Sequence, residues 1–202
     1  MAQPEIVIIK YNAGNIRSVN NALIQLGYRA EITADPEKIS RADKVIFPGV
    51  GEASTTMAFL KEKGLDTLIC QLRQPLLGVC LGMQLMGSHS EEGGVDCLGI
   101  FDEPIRKFVL PRPNPDNLKI PHMGWNQISN LKSDLFDQSM EGSYVYFVHS
   151  YYAALGPHTA AGTNYLLPFS AALQKDNYFA TQFHPEKSGP VGLRILKRFI
   201  EL

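Results

Sequence analysis

The sequence has no apolar run approaching the roughly 18 residues that a membrane-crossing helix requires. It has no run of like charge either, and nineteen basic against twenty acidic residues leave a formal net charge of −1. Nothing in it therefore attracts nucleic acid or an anionic membrane surface, and the expected ligand is small, or another protein. Cysteine is scarce: Cys70, Cys80 and Cys97 are an odd number. The opening residues, Met1-Ala2-Gln3-Pro4-Glu5, carry no basic stretch ahead of the short apolar run Ile6 to Ile9. Together these argue against a disulfide framework and for reduced thiols in the cytoplasm. No composition break, internal repeat or low-complexity tract divides the sequence, so one domain over residues 1–202 is expected. No metal-ligand or phosphate-binding motif emerges, and neither a metal nor a cofactor is expected.

What is present is a cysteine flanked by glycines. In Leu76-Leu77-Gly78-Val79-Cys80-Leu81-Gly82-Met83-Gln84-Leu85-Met86 a short strand pattern gives way to a helical one at Cys80. A sharp strand-to-helix turn strains the backbone of its central residue, and glycine two positions before and after removes side chains that would clash. Gly78-x-Cys80-x-Gly82 is thus the cysteine form of a nucleophile elbow. Leu81 to Met86 would form the next helix, whose first unpaired amides favour negative charge at Cys80. The alternative is an inert core cysteine between Val79 and Leu81.

Around the elbow, strand and helix patterns alternate. Glu5 to Lys10, Tyr28 to Thr33, Lys44 to Phe47 and Leu76 to Val79 read as strands. Helices are expected over Asn15 to Leu26 (Ile16, Val19, Leu23 and Leu26 on one face), Ala53 to Lys63 and Leu65 to Gln74. This predicts a three-layer α/β fold: a mostly parallel open sheet with helices on both faces. The second half adds an antiparallel section. Strands are expected over Gly99 to Val109 and Tyr144 to Tyr152, an irregular loop at Pro111, Pro113 and Pro115, and a hairpin of Ser170 to Lys175 with Tyr178 to Phe183 turning at Asp176-Asn177. A helix over Val191 to Glu201 follows. Ligands of such sheets bind beyond the carboxyl ends of the strands, so the loops after Lys10, Phe47, Val79 and Phe183 are where chemistry belongs.

Five histidines could serve Cys80, and only His184 has a carboxylate nearby in sequence at a useful spacing. Pro185 biases His184 toward extended backbone, which sends the side chains of His184 and Glu186 to one side. Glu186 would accept the Nδ1 proton and leave Nε2 facing a thiol; otherwise His184-Pro185-Glu186 is a solvated turn. The amide of Leu81 is one candidate oxyanion donor. Pro48-Gly49-Val50-Gly51 supplies a second, from Val50 or Gly51, or is an ordinary strand-to-helix loop. Asn12-Ala13-Gly14-Asn15 lacks the spacing of a phosphate loop, and Asn15 reads as a helix N-cap. His149-Ser150-Tyr151 ends a strand with hydroxyl and backbone groups on offer.

At these residues the sequence resembles the class I glutamine amidotransferases, whose glutaminase domains pair G-x-C-x-G with a late H-x-E. Within that family, Lys10 to Ser18, Pro48 to Gly51, Pro121-His122-Met123-Gly124-Trp125-Asn126 and Ala180 to Gly189 are similar to the glutaminase subunits of imidazole glycerol phosphate synthases. The resemblance implies a flavodoxin-like fold and glutamine hydrolysis by Cys80, His184 and Glu186. It assigns Gln84, His149, Ser150 and Tyr151 to glutamine binding and Gly49, Val50 and Gly51 to a mobile part of the oxyanion hole. It also implies a heterodimer with a (β/α)₈ cyclase subunit that receives the ammonia, with Asn15 and Lys187 toward that partner. The competing readings are a glutaminase for anthranilate, guanylate or pyridoxal phosphate synthesis, a stand-alone γ-glutamyl hydrolase, and a flavodoxin-like binding module with an inert cysteine.

Overall fold

Three runs of mostly apolar residues set the frame: β1 (Ile6–Ile9), β3 (Lys44–Gly49) and β4 (Leu76–Cys80) are buried along their whole length. Their side chains alternate between two cores. Ile6, Ile8, Ile46, Leu77 and Val79 enter one; Val7, Ile9, Val45, Phe47 and Leu76 enter the other. Burial on both faces is the reason these strands read as continuous apolar runs. The computed structural model describes residues 3–11, 15–115 and 117–202. The Asn12-Ala13-Gly14 part of the first loop lies outside them.

The first half continues with α1 (Ile16–Gln25), β2 (Ala30–Thr33), α2 (Pro36–Arg41), α3 (Ala53–Glu62), α4 (Leu65–Gln71) and α5 (Leu81–Leu85). The strands of the second half are β5 (His89–Ser90), β6 (Val95–Asp96), β7 (Ile105–Lys107), β8 (His122–Gln127), β9 (Tyr144–His149), β10 (Tyr151–Ala153), β11 (Thr159–Tyr165), β12 (Leu167–Lys175) and β13 (Tyr178–Thr181). A 3-10 turn at Pro185–Lys187 leads into α6 (Gly189–Glu201), which buries Gly192, Ile195, Leu196, Phe199 and Ile200 on one stripe. No helix among the described residues is long and apolar enough to cross a membrane.

The main sheet has seven strands in the order β11-β12-β13-β4-β3-β1-β2. From β13 to β2 neighbours run parallel, whereas β11, β12 and β13 are joined antiparallel. The predicted mixture of a parallel sheet and an antiparallel section is therefore present. From β1 the chain moves outward to β2 and then back across to β3 and β4, so the strand order reverses between β1 and β3.

Several boundaries differ from expectation. Gly99 to Val109 is not one strand: only Ile105–Lys107 is, and Ile100, Phe101 and Phe108 enter the cores from loops. Tyr144 to Tyr152 breaks at Ser150, where the chain leaves its β8 partner and joins β7. The expected helix to Gln74 stops at Gln71, because Leu72 is extended and its carbonyl accepts from Tyr178 and Asn177. β5, β6, β8, β11 and α2 have no counterpart in the pattern reading. In α2, Asp35 caps the amide of Glu37 at 2.9 Å and Pro36 opens the helix.

Candidate active site

Cys80 is both the last residue of β4 and the residue before α5, with φ 55° and ψ −109°. An L-residue holds such a conformation only where its surroundings impose it, and here they do. A Cβ on Gly82 would run into the Phe47 carbonyl; one on Gly78 would lie 2.6 Å from Met86 Sδ and 3.0 Å from the α5 backbone. Glycine at both positions is what lets α5 press against β3 and β4. Gly49, opposite Cys80 in the β3–β4 register, meets the same constraint against Leu81 and Gly82. The elbow is therefore a packing consequence of two strands and a helix start.

Cys80 is 7% exposed and lines a cavity of about 300 Å³ with Val50, Gly51, Leu81, Gln84, Glu92 and the 148–151 segment. The sulfur is thus buried and yet open to a small ligand. Of the residues expected as oxyanion donors, Val50, Gly51 and Leu81 line this cavity, whereas Gly49 does not and serves the packing just described. Gly51 has φ 129°, a region unfavourable for other residues. Tyr11, at the end of β1, donates to the Pro48 carbonyl at 2.5 Å. Burial, with a smaller effect of Cys80, drives its phenol pKa up, so it stays a neutral donor.

His184 arrives from beyond β13. Its amide donates to Tyr146 O at 2.9 Å and its carbonyl accepts from Ser188 Oγ at 2.6 Å, which ties it to β9 and to the start of α6. Its Nδ1 lies 2.8 Å from Glu186 Oε1, with both side chains inaccessible to solvent. Nε2 is buried without a hydrogen-bond partner among the described residues. Burial alone would depress the imidazole, but the neighbouring Cys80 and then Glu186 outweigh it and bring its pKa up to about 10. Asn15 stands at the N-cap position of α1, its carbonyl accepting from the Ser18 and Val19 amides, but its side chain does not cap the helix. The residue has φ 72° and no side-chain capping bond; its amide instead donates to Glu186 Oε1 and lies 3.2 Å from His184 Nδ1. Lys187 is exposed beside this group.

Gln84, 4% exposed, donates both amide hydrogens, to Tyr151 O and to Gln182 Oε1, each at 3.0 Å. Its oxygen is left for the cavity. Gln182 in turn turns its nitrogen to Cys80 Sγ at 3.8 Å. Two groups escape a reading of the sequence. Gln182 gives no local signal, and Glu92 sits in Glu91-Glu92-Gly93-Gly94, which reads as a surface turn. Glu92 lines the cavity while accepting from the Ala53 amide at 2.9 Å. Burial pushes its carboxyl up, the Ala53 amide opposes that, and Glu52 adds to the rise. Two other histidines do find carboxylates in the fold, His89 with Asp96 and His158 with Glu103, but neither lines the Cys80 cavity. No group of three metal-ligating side chains occurs among the described residues.

A family model, glutamine amidotransferase class-I, matches residues 7–202. The chain is 62% identical over 198 residues to imidazole glycerol phosphate synthase subunit HisH of Bacteroides fragilis (strain YCH46), covering 98% of this chain and 100% of that one. To the subunit of the same name from Escherichia coli (strain K12) it is 44% identical over 199 residues, covering 98% and 99%. A crystal structure of a glutamine amidotransferase superposes with a TM-score of 0.72 at 18% identity, over 96% of this chain and 97% of that one. The mostly parallel sheet, the cysteine elbow at its centre and these matches agree: the chain belongs to the class-I glutamine amidotransferase family.

Proposed function

We propose that the chain is the glutaminase subunit of an imidazole glycerol phosphate synthase, acting as one domain in the cytoplasm. In this reading Cys80, His184 and Glu186 hydrolyse glutamine to glutamate and ammonia. The observation that carries it is a strained, cavity-lining cysteine next to a histidine whose Nδ1 faces a buried carboxylate. The relatives named as subunits of that synthase, matched over 98% of this chain, support the choice of acceptor.

The arrangement of these groups supports the following steps. Glutamine enters with its α-ammonium toward the Glu92 carboxylate and the open Gln84 oxygen, which together supply the acceptors on that side. Cys80 Sγ attacks the side-chain amide carbon, and charge builds on the amide oxygen. The Leu81 amide and one from Val50 or Gly51 donate to it. With its pKa near 10, His184 holds a proton on Nε2 at neutral pH and delivers it to the departing nitrogen. The C–N bond breaks, ammonia leaves and a thioester remains. Water then attacks the thioester, His184 takes the proton of that water, and the thiol departs as glutamate forms. Glu186 keeps the Nδ1 proton in place throughout.

Ammonia released here needs an acceptor, and the hairpin of β8 and β9 supplies a surface for one. Met123, Trp125 and Tyr144 are 62%, 55% and 56% exposed on its outer face. That face runs to Val148, whose carbonyl lies 3.9 Å from Cys80 Sγ. Exposed aromatic patches of this kind mark protein partners. We assign the patch, together with Asn15 and the exposed Lys187, to a (β/α)₈ cyclase subunit in a heterodimer. That subunit would join the ammonia to a phosphorylated ribulosyl intermediate to give imidazole glycerol phosphate and an aminoimidazole carboxamide ribotide. The test is a glutaminase assay on wild type and Cys80→Ala, with and without the cyclase subunit and its ligand. The expected result is slow turnover alone, rapid turnover in the liganded complex, and none from the variant. Activity surviving in Cys80→Ala would reject the nucleophile.

A further inference from the structure

Two buried histidines outside the proposed triad form a relay whose hydrogen-bond directions are all fixed. His149 Nδ1 lies 2.7 Å from the Tyr151 carbonyl oxygen, which can only accept, so Nδ1 carries the proton. In a neutral imidazole the other nitrogen is then an acceptor. His149 Nε2 lies 3.0 Å from His122 Nδ1, so His122 also carries its proton on Nδ1. Its Nε2 accepts in turn from Asn126 Nδ2 at 3.4 Å. The Asn126 amide cannot be reversed, because its nitrogen also donates to Asn164 O at 2.9 Å and its oxygen accepts from the Gln127 amide at 2.8 Å.

Both rings are dry, at 3% and 6% exposure, and burial holds His122 at about 4 and His149 at about 3, so both are neutral at pH 7. His122 is also clamped between rings, with Tyr165 stacked at 4.0 Å and Phe147 at 4.9 Å between centroids. A core histidine needs nothing beyond satisfied nitrogens. This pair does more, because the relay ends on the Tyr151 carbonyl, and that oxygen also accepts from Gln84, whose second hydrogen holds Gln182 against Cys80.

We infer that His122 and Asn126 are positioning residues for glutamine binding: through His149 they fix the Tyr151 carbonyl, which orients the Gln84 carboxamide with its oxygen toward the substrate. This rests on the reading of the cavity as a glutamine site. β8 carries the two residues on its inner face, opposite Met123 and Trp125, and His122 faces His149 directly in the β8–β9 register. The chain passes between two sheets at Ser150, so the relay supplies at that break an anchor from a neighbouring strand.

The experiment compares His122→Phe, which keeps a stacked ring but no donor, with His122→Asn, whose amide nitrogen stands near the original Nδ1. Glutamine hydrolysis is measured in the complex with the cyclase subunit, and imidazole nitrogen shifts are read by NMR on the full wild-type chain. Expected are a KM for glutamine raised about tenfold in His122→Phe with kcat within about threefold, and largely restored KM in His122→Asn. In wild type, His149 and His122 both show protonated Nδ1 and bare Nε2. Asn126→Asp, which places an acceptor at His122 Nε2, should shift a proton onto that nitrogen and raise KM as His122→Phe does. A wild-type KM in His122→Phe, or losses in His122→Asn and His122→Phe that simply follow their melting temperatures, would overturn the inference. So would the opposite tautomer in wild type, a result that does not depend on any variant folding. Absence of glutaminase activity in the wild-type complex would instead overturn the functional reading, and the tautomers would still decide the relay.

Discussion

The side-chain amide of Asn15 donates to the same Glu186 oxygen, Oε1, that faces His184 Nδ1. The carboxylate that steadies the imidazole is thus itself held by a residue 171 positions earlier in the sequence. Its other oxygen, Oε2, is buried without a partner among the described residues, so Asn15 is the main neutral support of this charge. A hydrogen bond to an ionised group contributes roughly 1.5–3 kcal/mol. Asn15→Ala should therefore lower kcat for glutamine by about tenfold or more. Asn15→Asp, which sets one carboxylate against another, should lower it further. Equal kcat in Asn15→Asp and wild type at pH 7 would refute this role.

The His184 imidazole titrates far above its ordinary value of 6.5, at about 10. A group whose folded pKa is raised stabilises the fold fully below the unfolded value and loses that contribution as pH rises through the folded one. Glu186→Gln removes part of the cause. The melting-temperature gap between wild type and Glu186→Gln should accordingly be fully present near pH 6 and close as the pH rises through about 10. A gap that stays constant over this range would show that the pair does not hold the proton.

Gly82 leaves no room for a methyl group beside the Phe47 carbonyl. Gly82→Ala must push α5 away from β3, and a backbone displacement of this kind belongs to the class of large losses, about 4 kcal/mol. Denaturant unfolding should show it. Gly142→Ala, at a turn glycine with φ 74° and open space around its Cβ position, should lose only about 1 kcal/mol through backbone strain.

Trp125 is exposed on the outer face of β8 and touches Tyr146 edge-on, with ring centroids 6.1 Å apart. Removing it leaves the cores intact. Trp125→Ala should melt within about 1 °C of wild type, since surface changes rarely exceed half a kcal/mol. It should also weaken the cyclase complex by about tenfold or more, as a truncated aromatic anchor does. Titration calorimetry decides; unchanged affinity would move the interface elsewhere.

The elements legible in the sequence are those whose pattern has a local cause. β1, β3 and β4 read as strands because both faces are buried, and the elbow read as one because glycine spacing and strand-to-helix switching lie within eleven residues. β8 was illegible because His122-Met123-Gly124-Trp125-Asn126-Gln127 turns its polar side chains inward into the relay and its large apolar ones outward, reversing the usual alternation. α2 has six residues, too few to display a period. In Gly99 to Val109, Ile100, Phe101 and Phe108 are buried from loop positions, only Ile105 from the short strand β7, and Val109 is exposed, so hydrophobicity alone overstates the strand. Asn15, Glu92 and Gln182 take their roles from partners far away in sequence. Asn15 in particular has a sound local reading, the N-cap position, but its side chain goes to Glu186 instead of to the α1 amides.

Ser150 belongs to neither ladder: β9 ends one residue before it on the β8 hairpin, and β10 begins one residue after it beside β7. This part of the Cys80 cavity wall therefore passes from one piece of sheet to another at a single residue, whose carbonyl accepts from the Phe108 amide at 3.0 Å. A subunit settling onto Trp125 would therefore bear on the site by two routes, along β9 to Ser150 and through Tyr146, whose carbonyl accepts from the His184 amide at 2.9 Å.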